Sequence, residues 1–268
     1  KVEGSTLKMR GGGMLKASRD LHVGTVQRVE DAYEKKYSKS GESTTKTIKD
    51  TYNHCTLIDV QDGGQFIIRS GGDAELIGVH AKVDHLKCVA AGTLSSCVAY
   101  DITEESECEE RQTSSCWGLV SETKKTDRKV TKPKAVGNVF EVNSIIMHGE
   151  ESHYTESVIV RKPSTSSKAP PNLSPQALAC EQGSFTSGEG PVHDQPAIER
   201  TEVVTKTKSS RTSFLQPICD EINGRIGAEL YKNTSKESYK KVTSEHVVPS
   251  KIFGKELKMA SKQEKVIL

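Results

Sequence analysis

A short segment of this sequence recurs at fixed spacings, and the recurrence limits the fold more than any other feature. Residues 65–76 align with residues 85–96 at an offset of 20, with apolar positions opposite apolar ones and a glycine in each corner. Residues 17–23 align with residues 70–76 at an offset of 53. One unit, a Gly/Asp corner followed by a short strand, therefore occurs three times, which is typical of repeat architectures.

A repeat of about 20 residues with alternating strand positions predicts one coil of a parallel β-solenoid, in which each coil stacks ~4.8 Å above the last. The composition agrees with this prediction, because 34% apolar and 5% aromatic residues are enough for a narrow core but not for a wide one. A β-sandwich is the alternative, since sandwiches also have regularly spaced short strands.

Two charged insertions interrupt the repeat and predict β-hairpin arms that project into solvent. Residues 33–49 show polar alternation on both sides of a Ser-Gly turn, with no face apolar enough to be buried. Residues 103–134 form a second charged stretch of this kind. Cys108 and Cys116 lie almost symmetrically about Gln112 in the second stretch. They would face each other across a hairpin that turned there, either as a disulfide or as two unpaired thiols.

The repeat and its insertions resemble a known family. Residues 14–27, followed by a Lys/Ser/Thr-rich arm and then the Ser-Gly-Gly-Asp-Ala-Glu-Leu corner at 70–76, look like the haemagglutinin repeats of filamentous-haemagglutinin-type exoproteins. Residues 138–162 and 199–210 resemble further degenerate units and their arms. The resemblance covers roughly residues 1–217.

This resemblance implies a right-handed parallel β-helix from a bacterial surface exoprotein exported by two-partner secretion. The implied function is adhesion, or service as the stalk of a contact-dependent growth-inhibition toxin. The implied location is secreted or on the bacterial outer surface, with no cofactor. The implied partners are neighbouring coils of the same longer chain, an outer-membrane transporter and a target-cell surface. A start at Lys1 and an apolar end at 266–268 also suggest a fragment of a longer protein.

The C-terminal part has a different pattern, which predicts a short α-helical tail over residues 218–268 after a β-helix over 1–217. Its basis is an apolar stripe at spacings of four, formed by Ile218, Ile222, Ile226 and Leu230. From residue 219 onward the tail has 10 basic and 7 acidic residues, a net charge of +3. Such a charge fits nucleic-acid contact or, alternatively, an ordinary solvated Lys/Glu helix.

His246 is the one candidate catalytic residue. His-Val-Val-Pro at 246–249 resembles the first half of an HNH-type nuclease core, in which His246 would be the general base beside a divalent metal. Residues 255–268 contain no His, Asn or Asp, so the site is incomplete in this sequence and enzyme activity is an open question. A histidine in an ordinary loop is the simpler interpretation, and nucleic acid is a partner only under the nuclease hypothesis.

No structural metal site is predicted. His54, Cys55, His85 and Cys88 contain zinc-binding side chains, but their spacing matches no compact zinc module. Cys88 also falls where the repeat requires an aliphatic core residue. We therefore expect Cys88 to act as a small hydrophobic side chain.

Overall fold

The computed structural model describes residues 1–37, 42–115, 120–155, 158–160, 184–187, 192–213, 234–252 and 256–258. Every regular element in these residues is a β-strand, and none of them forms a helix long and apolar enough to cross a membrane. The strands are β1 Val2–Glu3, β2 Thr6–Ala17, β3 Leu21–Gly24, β4 Val26–Tyr37, β5 Glu42–His54, β6 Thr56–Ser70, β7 Ala74–Ile77, β8 Val79–Ala90, β9 Thr93–Cys97, β10 Ala99–Ser115, β11 Val120–Val136, β12 Val139–His148, β13 Glu151–Thr155, β14 Val158–Val160, β15 Ser184–Ser187, β16 Val192–Gln195, β17 Ala197–Ser213, β18 Thr234–Val248, β19 Lys251–Ile252 and β20 Glu256–Lys258.

These strands form three sheets. Sheet A is parallel, in the order β1-β3-β7-β9-β13-β16. Sheet B is also parallel, in the order β2-β6-β8-β12-β14-β19, and β15 and β20 extend it beside β12. Sheet C is antiparallel, in the order β4-β5-β10-β11-β17-β18. The prediction of a mainly β protein with parallel sheets is therefore confirmed.

The strand register confirms both offsets that the sequence repeat predicted. Phe66 pairs with Leu86 in sheet B, and Ala74 pairs with Leu94 in sheet A, each at an offset of 20. Leu21 pairs with the same Ala74 at an offset of 53. The internal repeat of the sequence is thus the stacking of one strand on the next.

One apolar core lies between sheets A and B. Burial alternates along β7 and β9, so that every second side chain points inward and the others face outward. Cys88 is fully buried in this core, as its place in the repeat predicted. Each fully buried side chain of leucine or phenylalanine size contributes roughly 1.5–3 kcal/mol. The largest of these side chains are Phe66, Phe140, Ile58, Ile68, Leu76, Leu86, Leu94, Ile145 and Met147.

The Gly/Asp corners connect sheet B to sheet A, and their aspartates bond from one corner to the next. The backbone N–H of Asp73 donates to Asp20 Oδ1 at 3.0 Å, and that of Thr93 donates to Asp73 Oδ1 at 2.8 Å. Gly71 lies against the carbonyl group of Ser18, where a Cβ would overlap backbone atoms. The corner sequence is therefore required by the close approach of successive turns.

Each strand of sheet A and the sheet B strand or strands that follow it make one A–B unit, and the described residues contain six such units in succession. Units two, four and six carry the hairpins β4–β5, β10–β11 and β17–β18 between their A and B strands. In unit three, the single residue Gly78 connects β7 to β8, with a φ of +57°. A hairpin is two strands wide, or ~9.6 Å, which equals the rise of two stacked units. Hairpins on alternate units therefore meet edge to edge.

This meeting corrects the expectation of separate solvated arms. β5 pairs with β10 and β11 pairs with β17, so the three hairpins form one continuous sheet. The turn predicted at Gln112 is also wrong, because Gln112 pairs with Thr123 inside the second hairpin. The polar alternation indicates strands correctly, but it contains no information about which polar edges will meet.

The helical tail is wrong for residues 234–248, which form the strand β18. β18 pairs with β17 along its whole length, and two of its β-branched residues lie opposite others of that kind, Val242 opposite Val203 and Val247 opposite Ile198. Tertiary pairing and β propensity determine this segment. The apolar stripe from Ile218 to Leu230 lies outside the described residues.

Candidate interaction surface

The roots of the hairpins lie at equivalent places in sheets A and B. Val23, Leu76 and Ser96 occupy one row of sheet A, and the chain leaves the sheet within three residues of this row in units two and four. The described residues therefore place all three hairpins on one side of the molecule. Among the described residues, no side chain of sheet C is part of the A–B core cluster.

Asn53 joins the roots of the first two hairpins. Its backbone N–H donates to Asp101 Oδ1 at 2.7 Å, and its Nδ2 donates to the carbonyl oxygen of Tyr100 at 2.7 Å. Its Oδ1 accepts from Thr25 Oγ1 at 3.1 Å. Asn53 thus binds β10 through both backbone and side chain.

The third hairpin is fixed to the second by two similar contacts. Glu199 Oε1 accepts from the backbone N–H of Ala135 at 2.7 Å, and the Tyr100 hydroxyl accepts from the backbone N–H of Ile198 at 3.3 Å. A small apolar cluster covers this root, formed by Ala135, Ala197 and Val248 with Val98 and Tyr100 packed against it. The hairpins are therefore anchored by specific bonds at the place where they leave the core.

Asn138 connects the second hairpin to β12 and is fully buried. Its Nδ2 donates to the carbonyl oxygen of Leu76 at 2.9 Å and to Ser96 Oγ at 2.8 Å. Its Oδ1 accepts from the backbone N–H of Val79 at 2.7 Å. One amide therefore satisfies polar groups from two neighbouring units, units three and four, as expected for a buried polar side chain.

Above the roots, both faces of sheet C carry polar and charged side chains, and exposed ion pairs join neighbouring strands. Each such pair contributes only ~0.2–1 kcal/mol, because solvent screens it. The cross-strand pairs among the described residues include Arg111–Glu42, Arg128–Glu107, Lys129–Glu104, Lys132–Glu105, Arg200–Glu245, Lys208–Glu237 and Lys241–Glu202. The ammonium group of Lys208, which contacts the Glu237 carboxylate, holds the pKa of Glu237 below its ordinary value.

One apolar row crosses this polar sheet. It contains Ala32, Ile48, Val130, Val203 and Val242, which lie in register on successive strands around Glu105 of β10. Val130 is buried at the centre, whereas Val242 is 47% exposed on the last strand. The row helps to fix the register, since a slip by one residue would move these side chains to the other face.

Histidines and glutamates line the outer face of sheet A. His22 lies between two carboxylates, with Nε2 at 3.1 Å from Glu3 Oε1 and Nδ1 at 2.8 Å from Glu75 Oε2. Further along, His153 and His193 are stacked with ring centroids 4.9 Å apart, and Glu151 contacts both. No group of three such side chains among the described residues has the geometry to hold a metal ion.

The outer face of sheet B has a shallow groove of about 260 Å³. Lys8, Asp59, Lys82 and Glu141 line one side of it in register, with alternating charge across four parallel strands. Burial lowers the pKa of His80, which lines the groove as well. The alternating charges neutralise one another, so this row stabilises the sheet and leaves no strong field for a charged ligand.

His246 lies on β18, exposed to solvent, with Glu199 as its cross-strand neighbour. It is part of a regular strand rather than of a loop before a helix. The nuclease hypothesis stays a prediction. His246 belongs to no group of three side chains among the described residues that could hold a metal ion, and residues 259–268, which lie outside them, contain no ligand of the expected type in the sequence.

The cysteine predictions have different outcomes. Cys108 lies in β10, opposite Asp127 on one side and Thr45 on the other. Cys116 lies outside the described residues, so the disulfide itself is not tested, but the pairing of Gln112 with Thr123 removes the turn on which it was predicted. His85 faces outward and contacts Ser144 Oγ at 2.7 Å, whereas Cys88 points into the core. His85 and Cys88, two of the four zinc-binding side chains noted in the sequence, therefore point to opposite faces of sheet B.

Sequence reasoning missed the two asparagines that organise the surface. Asn53 lies near the end of β5, shortly before the chain returns to sheet B, and Asn138 directly precedes β12 after the second hairpin. A polar residue at the boundary between an arm and a strand was the available signal.

Comparisons with protein-family models, with curated proteins and with solved structures find no match for this chain.

Proposed function

We propose that the chain is a structural and interaction segment of a two-partner-secreted bacterial surface exoprotein, with sheets A and B as faces of one right-handed parallel β-helix. The observation that carries the proposal is the alternation of the chain between two parallel sheets around one narrow core, with hairpins leaving from one side. Right-handed crossovers are the general rule for parallel strands.

The proposed mechanism is mechanical. Backbone hydrogen bonds between successive units run along the stack, so a rod of this type gains length without a wider core. Sheet C would present Thr, Lys and Glu side chains for weak multivalent contact, either in adhesion or beside a stalk that holds a C-terminal toxin away from the cell. The partners would be an outer-membrane transporter and a target-cell surface, and the location would be the bacterial outer surface.

Cell binding tests the interaction part of this proposal. Beads coated with the chain should adhere to target cells, and adhesion should fall at least tenfold for a variant without hairpins. Unit three supplies the design. There Gly78 alone connects the sheet A strand to the sheet B strand, whereas a hairpin with its flanking residues makes this connection in units two, four and six. A single glycine would replace residues 25–55, 98–137 and 196–249, because the register makes each of these segments equivalent to Gly78.

Far-UV circular dichroism of the glycine-linked variant is the control, and its spectrum should remain dominated by strand. Equal adhesion by the two proteins would remove the hairpin sheet from the proposed function. Small-angle scattering tests the stalk part, and a compact globular profile for the full chain would contradict a rod.

A further inference from the structure

Sheet C ends in two strands whose outer edges have no partner among the described residues. β4 forms one edge, and all of its residues are exposed. β18 forms the other edge, and it is exposed from residue 235 to residue 247. Each edge presents a row of backbone N–H and C=O groups that another strand can pair with.

The two edges are complementary in kind. Within the chain, the second strand of one hairpin pairs antiparallel with the first strand of the next, once at β5–β10 and again at β11–β17. β18 is a second strand and β4 is a first strand. A contact between β18 of one molecule and β4 of another would therefore repeat an interface that this fold already makes twice.

We propose that β18 of one copy of this chain pairs antiparallel with β4 of a second copy, so that sheet C continues from molecule to molecule. The alternation of units supports this occupant. Hairpins occur on units two, four and six, so a second copy stacked beyond unit six would place its first hairpin two units further on, at the established spacing. β1 and β16, the outer strands of sheet A in the described part of the chain, would meet in the same contact.

The side chains agree with this pairing when the rows of sheet C are continued. Lys240 of β18 falls opposite Glu34 of the second copy, and Val242 falls opposite Ala32 of the second copy. The first pair matches opposite charges directly, and the second continues the apolar row. Cross-strand pairs of both types stabilise antiparallel sheets.

Neither edge has the features that prevent strand addition. β4 and β18 contain no proline, and their pairings with β5 and β17 run without a register shift. Their charged side chains do not mark them as blocked edges, because the interior strands β10 and β11 are equally rich in charge. Proline, bulges and inward charges are the usual protections of a free edge.

Charge exchange across the proposed pair tests the contact. Lys240→Glu alone would place two carboxylates opposite each other, and Glu34→Lys alone would place two ammonium groups there. Each variant alone should associate at least tenfold more weakly than the wild-type chain in sedimentation velocity. An equimolar mixture of K240E and E34K should recover the association, because every contact between unlike copies then joins opposite charges.

Arg19→Glu is the matched control for Lys240→Glu, since it makes the same change in charge at an exposed corner outside sheet C. It should leave the association unchanged, and far-UV circular dichroism and thermal unfolding should show that every variant folds. A wild-type chain that stays monomeric at several hundred micromolar would overturn the proposal. Association that is insensitive to either charge reversal, or a mixture that fails to recover it, would overturn it as well.

Discussion

The A–B core and sheet C are built from strands of the same chain, but different forces hold them. In the core, alternate side chains are buried and most of them are apolar, so the hydrophobic effect dominates. In sheet C, most side chains on both faces are polar, and backbone pairing with many weak cross-strand contacts joins the strands. A sheet without its own apolar core therefore depends for its position on the hydrogen bonds at the base of its hairpins. Here these bonds are made by Asn53, Tyr100 and Glu199.

Truncation of a large core side chain should have the largest effect. Phe140→Ala removes a fully buried ring from β12, and we expect a loss of about 3–5 kcal/mol in the free energy of unfolding. Denaturant titration measures this loss. Tyr239→Ala in sheet C is the comparison, and it should change stability by less than ~0.5 kcal/mol because Tyr239 is 62% exposed. Similar losses for both variants would show that the two regions do not differ as described.

Loss of the buried amide at the junction between core and hairpin should have the next largest effect. Asn138→Ala leaves the N–H of Val79 and the carbonyl group of Leu76 without this partner, at a cost of about 2–3 kcal/mol. Denaturant titration again gives the value. Asn143→Ala on β12, the strand that follows Asn138, supplies the reference, and an equal loss there would argue against a special role for Asn138.

Alkaline pH should weaken the core selectively. Burial raises the pKa of the Cys88 thiol to about 12, well above its value in an unfolded chain. The stabilisation is fully present below pH 9 and is lost as pH rises from 9 towards 12, because only the unfolded state releases the proton in that window. We expect this thiol to lower stability by about 1.4 kcal/mol between pH 7 and pH 10.

Burial of the Tyr154 hydroxyl raises its pKa too, so it acts in the same direction at higher pH. Unfolding titrations of the wild type and of Cys88→Ala at both pH values isolate the thiol. The variant should be less stable at pH 7 but should lose less on going to pH 10. Parallel pH profiles for the two proteins would be inconsistent with a buried thiol at this position.

An exposed ion pair in sheet C should have the smallest effect. Lys132 contacts Glu105 Oε1 at 3.0 Å across β10 and β11, and a double-mutant cycle with Lys132→Met and Glu105→Gln should give a coupling of ~0.2–1 kcal/mol. The coupling should shrink in 1 M salt. A salt-insensitive coupling above ~2 kcal/mol would mean that sheet C is held by charge pairs rather than by its roots and backbone.

The sequence was informative about the core and much less so about sheet C. Apolar residues at matching repeat positions, such as Phe66 with Leu86, report stacking directly, because only one register buries both. The hairpins show only polar alternation, which indicates strands but is compatible with many edge pairings. The tail illustrates the limit most clearly, since Lys240 and Lys241 favour a helix by local propensity yet lie in a strand paired with β17.

The candidate surface was predictable only in outline. The charged arms were evident, but the anchoring role of Asn53 depends on the proximity of β5 to β10, and its contacts with Tyr100 and Asp101 join residues 47 and 48 positions apart in the sequence. His246 drew attention as an isolated motif, and its neighbour Glu199 is a product of hairpin pairing. Such long-range relations follow from the alternation of units rather than from any local pattern.

Amide hydrogen exchange at low protein concentration tests the continuous hairpin sheet most directly. If the hairpins pair as described, amides along the paired lengths of the interior strands β5, β10, β11 and β17 should all be protected, whereas β4 and β18 should be protected only at alternate residues. Alternate protection in all six strands would mean three separate hairpins and would contradict the account.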